Sequence, residues 1–160
     1  MRVLFIHNYY RTRGGEESVF EAEVELLTQH GHEVGTLTFE STTIDSALDK
    51  IKTGLQLVYN RDAAKQLKEA IEHFKPDVIH VHNFFPLASP AVFMVAHQAN
   101  IPVVFTIHNY RLLCPGANLY RNNQVCEACY KKPFALDGVL HGCYNQSAIQ
   151  TATLATMTSV

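Results

Sequence analysis

The sequence predicts an α/β fold in which a parallel, Rossmann-like sheet carries helices on both faces. Short apolar runs typical of strands alternate with helical patterns through the first two-thirds of the chain. The first run, VLFIH, is continuously apolar, as expected for a strand that is covered on both faces. A chain of 160 residues, 47% of them hydrophobic, is long enough to bury one core of ordinary domain size.

Each element has a local reason in the sequence. The patterns predict strands at residues 3–7, 32–39, 77–83 and 102–109, and helices at residues 16–30, 62–74 and 90–99. An apolar stripe follows the first helix: Val19, Phe20, Val24, Leu26 and Leu27. Gly31 is a natural stop for this helix, and Pro76 ends the second one. Residues 40–59 are ambiguous, with room for one short helix.

Residues 112–144 break the periodic pattern and are rich in proline, glycine and asparagine, which indicates a Cys-rich, irregular insertion with its own support. This segment contains every cysteine of the chain: Cys114, Cys126, Cys129 and Cys143. A Cys-x-x-Cys pair with two further thiolates suits tetrahedral zinc, and a metal would order a segment that burial alone cannot. We therefore expect a structural zinc site, with His141 as a substitute ligand. An iron–sulfur cluster, reduced thiols and a disulfide stay open. A helix-like pattern resumes over residues 146–160.

Charge and hydropathy restrict the partners and the location. The net charge is −2 and 18% of the residues are charged, so no basic surface for nucleic acid is expected. No apolar run approaches the roughly 18 residues of a membrane span, and the first apolar run is too short for a signal peptide. We expect a cytoplasmic protein, at most peripheral at the inner face of the membrane, and this location favours reduced cysteines over disulfides.

Ligands of parallel α/β sheets bind outside the carboxyl ends of the strands. In the predicted order of elements, that rule brings together residues 8–15, 83–86 and 108–111. These segments are also the most unusual in composition. We therefore expect them to line one crevice.

The pair Gly14-Gly15 stands where the first strand is followed by the first helix. Glycine can adopt a positive φ and lets a ligand approach the backbone, and the start of a helix offers N–H groups to an anion. Charged residues flank the pair: Arg11, Arg13, Glu16 and Glu17. The arginines would add positive charge, whereas the glutamates also suit a first helical turn through the helix dipole. An ordinary turn is the alternative interpretation.

Histidines follow or lie within several predicted strands. His7 and His80 fit hydrogen-bonded core positions. His80 and His82 lie on one face of their strand and could supply two ligands to a metal ion, but the sequence shows no further ligand for such a site. The serines lack the Gly-x-Ser-x-Gly elbow of a serine hydrolase, so no residue is predicted to act as a nucleophile.

Four motifs occur in order along the chain: GGEE, PDVIHVHNFFPLASP, PVVFTIHNYRLLCPG and VCEAC…HGC. Together they resemble the N-terminal domain of retaining glycosyltransferases of family 4, which are GT-B enzymes with two Rossmann-like domains facing a cleft. The resemblance implies that residues 1–160 are the N-terminal, acceptor-side domain, truncated within a helix, and that the second domain is absent. Because that second domain binds the nucleotide, we expect this fragment alone to be inactive.

The resemblance also implies roles for individual residues. The loop at Gly14 and Gly15, with Glu17, is implied to approach the phosphates and sugar of a nucleotide-sugar donor. His108 is implied to approach the donor sugar and is the expected catalytic residue. Four residues are implied on the acceptor side: His82, Asn83, Asn109 and Arg111. Transfer with retention is implied, and no catalytic metal is expected.

The expected function is transfer of a sugar from a nucleotide-sugar to a glycan or lipid-linked acceptor in cell-surface polysaccharide biosynthesis. The alternatives are a non-enzymatic, zinc-stapled interaction module and a nucleotide-binding oxidoreductase domain. The module is disfavoured because the unusual residues converge on a crevice rather than a flat face. The oxidoreductase is disfavoured because the chain lacks the G-x-G-x-x-G fingerprint after its first strand.

Overall fold

The computed structural model describes residues 1–10, 12–40, 54 and 56–159. The chain divides into two compact units, Met1–His108 and Asn109–Val160. The first unit contains the sheet and the second contains the cysteines. Most of the ambiguous segment 40–59, where a short helix was considered, lies outside the described residues, as does Arg11.

The first unit alternates strands and helices, as predicted. Its strands are β1 (Arg2–Tyr9), β2 (Glu33–Glu40), β3 (Val78–Val81) and β4 (Val103–Phe105), and its helices are α1 (Gly15–Gln29), α2 (Arg61–Phe74) and α3 (Ala91–Gln98). The strands pair in parallel in the order β2-β1-β3-β4. Right-handed crossovers in this order place α1 on one face of the sheet and α2 and α3 on the other. The predicted fold class is confirmed.

Alternation along β1 divides its side chains between the two faces of the sheet. Val3 and Phe5 form a core with Phe20 of α1, and the rings of Phe5 and Phe20 meet edge to face at 5.9 Å. Leu4 and Ile6 point to the opposite face and are also buried. The sheet is therefore covered on both sides, which explains the continuously apolar sequence of its central strand.

The buried stripe of α1 differs from the predicted one. Val19 and Leu26 are 40% and 51% exposed. The inward side of the helix instead begins with the buried Glu17 and continues through Phe20 and Val24, at spacings of three and four residues. A carboxylate therefore lies on the sheet-facing side of the first helix.

Helix α2 begins at a side-chain cap. Asn60 Oδ1 accepts the backbone N–H groups of Asp62 at 3.0 Å and Ala63 at 3.3 Å. The Asn60 amide also donates to the carbonyl of Leu87 at 2.7 Å, so the cap is tied to the loop that follows β3. The helix ends at Lys75, which has a left-handed φ of 49° and precedes a proline, as the sequence predicted.

Strands β3 and β4 are shorter than the predicted segments 77–83 and 102–109. Backbone pairing continues just past β4, since the N–H of Thr106 donates to the carbonyl of Val81 at 3.0 Å. The early end of β4, at Phe105, changes the position of His108. It lies three residues beyond β4 rather than at the end of the strand.

The second unit contains two short strands, β5 (Tyr120–Arg121) and β6 (Gln124–Val125), and two helices, α4 (Leu136–Leu140) and α5 (Ala148–Met157). β5 and β6 form an antiparallel hairpin. Helix α5 follows Ser147, whose hydroxyl oxygen accepts the N–H of Gln150 at 3.3 Å. It occupies most of the segment 146–160, where a helical pattern was predicted.

Helix length bears on membrane insertion. The longest helix of the described part of the chain, α1, has 15 residues. A membrane-spanning helix needs about 20 predominantly apolar residues. Within the described ranges, no helix is both long and apolar enough to cross a bilayer.

Candidate functional site

The strand order reverses between β1 and β3, with β2 on one side of this pair and β4 on the other. In open α/β sheets a ligand crevice forms outside the carboxyl ends of the strands at such a switch point. The end of β1 brings His7 and Asn8 to this edge, and the chain after β3 brings His82 and Asn83. These predicted crevice segments therefore meet at one edge of the sheet.

The pleat of β3 turns His80 and His82 towards the face that α1 covers. Their rings lie 4.8 and 5.6 Å from the ring of Phe5 and 4.4 Å from each other. His7 lies on the same face, stacked on Phe20 with 4.7 Å between the ring centroids. We refer to four residues as the histidine cluster: His7, His80, His82 and His108.

His108 joins the cluster through its side chain. His108 Nε2 lies 3.2 Å from His82 Nδ1. A second contact links the same two segments, since His80 Nε2 lies 2.8 Å from the hydroxyl oxygen of Thr106. These two contacts attach the chain after β4 to β3 and to the residue that follows it.

An acidic residue from α1 completes this group. Glu23 Oε2 lies 3.3 Å from His82 Nε2 and 3.5 Å from His80 Nδ1. The sequence reasoning missed Glu23, because it found no third group beside the two histidines. The available signal was its position three residues after Phe20, which puts the carboxylate near the sheet-facing side of the helix.

Burial keeps the histidine cluster neutral at neutral pH. It lowers the pKa of His7 to about 4 and, together with the neighbouring histidines, the pKa of His82 to about 3. Burial also lowers the pKa of His80 and His108, although the nearby carboxylate of Glu23 opposes the shift in both. Neutral imidazoles both donate and accept hydrogen bonds, which suits a ligand rich in hydroxyl groups.

His7 differs from the hydrogen-bonded core residue that the sequence suggested. Its side chain is fully buried, with 0% exposure, and its ring packs against Phe20 and Tyr9. Neither ring nitrogen has a hydrogen-bond partner within the part of the chain that the structure describes. A buried polar group without a partner destabilises the fold, and the observed contacts of the His7 ring are packing contacts with aromatic rings.

The carboxylate of Glu17 braces the loop between β1 and α1. Its oxygens accept the backbone N–H of Gly14 at 2.6 Å and that of Tyr10 at 3.4 Å, and the residue is 1% exposed. Burial alone would raise the pKa of Glu17, but hydrogen bonds from backbone N–H groups outweigh it and lower the pKa. The side chain is thus an ionised, internal support for the loop. A direct contact with a donor stays a prediction.

The glycine pair does not use the backbone freedom for which the sequence singled it out. Gly14 is extended, with φ of −126°, and neither Gly14 nor Gly15 has a positive φ, so that expectation is wrong. A Cβ added at Gly15 would meet nothing within 4 Å. Gly15 therefore keeps open the surface over the first turn of α1, where a ligand can approach the backbone.

The arginine beside the glycine pair contributes less free positive charge than predicted. Arg13 forms an ion pair with Glu21 of α1. Its predicted companion, Arg11, lies outside the described residues. Since the buried carboxylate of Glu17 also lies at the start of α1, the positive end of the helix dipole is partly neutralised there. This end of the helix therefore offers an anion less positive charge than the sequence suggests.

Asn83, predicted on the acceptor side, is buried and bonded to the backbone. Its side-chain amide donates to the carbonyl of Asn8 at 2.8 Å and accepts the N–H of Phe85 at 3.0 Å. Asn8 Oδ1 accepts the N–H of Leu87 at 3.0 Å. The two asparagines connect the loop after β3 to the end of β1 by hydrogen bonds. Their observed contacts therefore stabilise the backbone around the site.

Asn109 and Arg111, also predicted on the acceptor side, belong to the second unit. Asn109 Oδ1 accepts the N–H of Arg111 at 3.0 Å. The Arg111 guanidinium donates to the carbonyl of Pro115 at 3.2 Å and lies 5.5 Å from the ring centroid of Tyr144. Within that unit, both residues shape the turn around the first cysteine.

The cysteines of the second unit line one cavity of about 540 Å³, together with His141. All of them are free thiols: Cys114, Cys126, Cys129 and Cys143. The disulfide alternative is therefore not seen in the structure. Burial raises the pKa of the Cys129 and Cys143 thiols, and neighbouring thiols add to the shift.

No three of the four cysteine sulfur atoms, all of which the structure describes, lie within 4.8 Å of one another. A tetrahedral site with Zn–S bonds near 2.3 Å has sulfur–sulfur distances of about 3.8 Å. Across the described residues, the one group whose three potential ligand atoms lie within 4.8 Å of one another is Glu23, His80 and His82. A metal in the cysteine cavity therefore requires the side chains to close around it.

The parallel sheet and its switch point define a Rossmann-like α/β domain. The model of Glycosyltransferase Family 4 matches residues 13–132, which is more than half of the chain. The chain therefore belongs to glycosyltransferase family 4. The resemblance inferred from the sequence motifs is confirmed.

Two further proteins are similar to parts of the chain. An uncharacterized 42.6 kDa protein in the cps region of Klebsiella pneumoniae is 34% identical over 82 residues, which are 51% of this chain and 22% of that protein. The crystal structure of UDP-GlcNAc 2-epimerase from Neisseria meningitidis bound to UDP-GlcNAc aligns at 17% identity and a TM-score of 0.45. That alignment covers 93% of this chain and 47% of the epimerase chain. The matched segments thus span less than half the length of either protein.

We expect buried His7 to lower the free energy of unfolding in mild acid. Its pKa is about 4 in the folded protein against an ordinary 6.5, because burial outweighs the facing carboxylates of Glu17 and Glu21, and His108 adds to the effect. The unfolded chain therefore binds the extra proton between these two values. The free energy of unfolding therefore has its full value above about pH 6.5. It declines towards pH 4 by up to roughly 1.4 kcal/mol per pH unit. Urea unfolding across this range measures the slope.

The substitution His7→Phe isolates this contribution. Phenylalanine keeps the ring packing against Phe20 but cannot be protonated, so stability at neutral pH should persist and the slope below pH 6.5 should decrease. His97→Gln, at an exposed position of α3, is the control and should leave the slope unchanged. An unchanged slope in His7→Phe would show that burial does not shift this histidine.

Proposed function

We propose that the whole protein transfers a sugar from a nucleotide-sugar donor to a glycan or lipid-linked acceptor, with retention, in cell-surface polysaccharide biosynthesis. Membership of glycosyltransferase family 4 supports the reaction class, and the similarity to a protein of a cps region supports the context. In this chain, the main support for the proposal is the set of neutral histidines at the switch point, together with the open first turn of α1.

In this proposal a second domain binds most of the nucleotide. The present chain supplies the acceptor side and the wall of the crevice that faces the donor sugar. Reaction with a lipid-linked acceptor would take place at the inner face of the membrane, with the protein bound peripherally.

His108 is the proposed catalytic residue. It is half-buried, its pKa is lowered by burial, and its Nε2 is engaged with His82 at 3.2 Å. Nδ1 of His108 is then the nitrogen that hydrogen-bonds the ligand. A neutral ring can hydrogen-bond a sugar hydroxyl without placing a positive charge beside an oxocarbenium-like anomeric carbon. His82, which is only 2% exposed, acts as the positioning residue for His108.

The turn at Gly14 and Gly15 is the proposed contact for the donor's sugar and its nearest phosphate. The first amides of a helix have no partner within the helix, so they can donate to a ligand. Donors fixed in place before the reaction stabilise charge that develops on the departing diphosphate. Glu17 holds this turn in shape from the interior.

For the second unit we propose a structural zinc site formed by Cys114, Cys126, Cys129 and Cys143. The shared cavity and the free thiols support it, and so does the backbone. Seven non-glycine residues described in this unit have a positive φ: Ala117, Leu119, Asn122, Asn123, Lys131, Asn145 and Gln146. Left-handed backbone costs about 1–2 kcal/mol for most residues and persists only where the surroundings enforce it. A metal bound at four chain positions would supply that constraint.

We expect Gly15→Ala to separate folding from activity. The added methyl group meets nothing within 4 Å, and alanine favours a helix, so the free energy of unfolding should stay the same or rise by up to about 1 kcal/mol. If a donor packs onto this backbone, kcat/KM of the whole enzyme should fall roughly tenfold or more. Gln29→Ala, at the opposite end of α1, is the control. Full activity of Gly15→Ala would contradict a ligand contact at this turn.

We expect His108→Ala to lower turnover in the whole enzyme. Loss of a hydrogen bond in a closed site costs roughly 1–3 kcal/mol, which corresponds to about 5- to 150-fold in rate. The assay follows release of the nucleotide from a panel of nucleotide-sugars, with product identified by mass spectrometry. His97→Ala, on the exposed side of α3, should retain full activity. If His108→Ala turns over normally, the residue is structural.

We expect Cys126→Ser to remove one zinc ion per chain and to loosen residues 112–144. The sheet should stay folded, since the first unit has its own apolar core. Elemental analysis measures the metal, and amide hydrogen exchange measures the order of the segment. Glu127→Gln, an exposed change between the paired cysteines, is the control. Metal-free protein with this segment fully protected from exchange would exclude the zinc site.

A further inference from the structure

Two histidine nitrogens lie beside one carboxylate oxygen of Glu23. Its Oε2 lies 3.5 Å from His80 Nδ1 and 3.3 Å from His82 Nε2. His82 is 2% exposed, yet its Nε2 has no hydrogen-bond partner among the residues that the structure describes. A buried imidazole nitrogen that lacks a hydrogen-bond partner among the described residues therefore lies 3.3 Å from a carboxylate oxygen.

The same distances fit the edges of a tetrahedral metal site. Zinc binds imidazole nitrogen and carboxylate oxygen at about 2.0–2.1 Å, and in a tetrahedron two such ligand atoms stand about 3.3 Å apart. The edges observed from Glu23 to the two histidines are 3.3 and 3.5 Å. All three donor atoms lie within 4.8 Å of one another. We propose that Glu23, His80 and His82 bind one divalent transition-metal ion of the zinc type.

The second nitrogen of each ring supports this assignment. Histidines that bind a metal almost always hydrogen-bond through their other ring nitrogen, which fixes the tautomer and the ring orientation. His80 Nε2 contacts the hydroxyl of Thr106 at 2.8 Å, and His82 Nδ1 contacts His108 Nε2 at 3.2 Å. Both imidazoles thus have an outer partner and direct the remaining nitrogen to the same point beside Glu23.

The site has a path for the ion and room for a further ligand. The Glu23 side chain is 35% exposed, whereas those of His80 and His82 are 12% and 0% exposed. The metal enters from the side of the carboxylate and meets the imidazoles inside. Three protein ligands leave a fourth tetrahedral position for water or another small ligand.

Metal binding determines which nitrogen of His108 carries the proton. The metal takes the lone pair of His82 Nε2, so the proton of that ring is on Nδ1. His82 Nδ1–H then donates to His108 Nε2, and the proton of neutral His108 is on its Nδ1. His108 therefore presents an N–H donor to its other partners. The meaning of this donor for sugar binding rests on the proposed function, whereas the metal site does not.

Cobalt titration of the metal-free 160-residue chain tests the site. Co²⁺ bound to nitrogen and oxygen ligands gives visible d–d absorption without the intense sulfur-to-metal charge transfer of a thiolate site. We expect a nitrogen–oxygen signal of one equivalent in the wild type. Glu23→Gln should weaken this binding roughly tenfold or more, since one of three protein ligands is lost. Glu25→Gln, an exposed carboxylate two residues along the same helix, is the matched control and should bind as the wild type does.

The cysteine site is distinguished in the same experiment. Its charge-transfer band should be lost in Cys126→Ser and unchanged in Glu23→Gln. The experiment can therefore reject the cysteine site and the histidine–glutamate site independently of each other. His80→Gln is a second variant that should also lose the nitrogen–oxygen signal, and circular dichroism verifies that both variants are folded. Cobalt absorption that is identical in the wild type and Glu23→Gln would overturn the proposal.

Imidazole ¹⁵N spectra provide a readout that is independent of affinity. On addition of Zn²⁺ to the wild type, His82 should be metal-bound at Nε2, and the proton of His108 should be on Nδ1. In Glu23→Gln the same amount of Zn²⁺ should leave both rings as they were. If saturating Zn²⁺ leaves the His82 nitrogen shifts of the wild type unchanged, no metal binds at this position.

Discussion

The parallel register of β1 and β3, in which side chains alternate between the two faces of the sheet, is the constraint on which the rest of the structure depends. The strands pair with Phe5 opposite His80, so the same face carries apolar anchors near the middle of the sheet and histidines towards its carboxyl edge. A register shift of one residue would turn all of these side chains to the opposite face. Burial of Leu4 and Ile6 on that face therefore also fixes the positions of His80 and the other polar groups.

The order of elements and the crevice edge could be predicted from the sequence, because periodicity and turn residues are local signals. The contact between His82 and His108 could not be derived from spacing, since it depends on how the chain turns after the short strand β4. Glu23 could not be assigned for a similar reason: its role depends on how α1 packs across β3. Glu17 illustrates a further limit. A glutamate in a first turn fits the helix dipole, but only the structure shows it buried and bonded to Gly14.

The electrostatic character of the crevice distinguishes the competing functions. Burial keeps the histidines neutral, and the carboxylates of Glu17 and Glu23 lie beside them. The positive end of α1 is partly neutralised, and the β1–α1 turn lacks a third glycine for a dinucleotide pyrophosphate. Such a surface supports the proposed sugar ligand over a dinucleotide. Its polar and ionisable side chains also differ from the apolar centre of a protein-binding face.

The short strand β4 has a consequence for the way the crevice adapts to what enters it. Because β4 ends at Phe105, His108 is positioned by one imidazole contact and not by a continuous ladder. Backbone outside a ladder opens locally at a small fraction of the global unfolding free energy. His108 can therefore follow a ligand over short distances while the sheet below it stays rigid. The carboxyl edge of the sheet thus combines a rigid part, the paired strands, with a more adaptable part, the chain that follows β4.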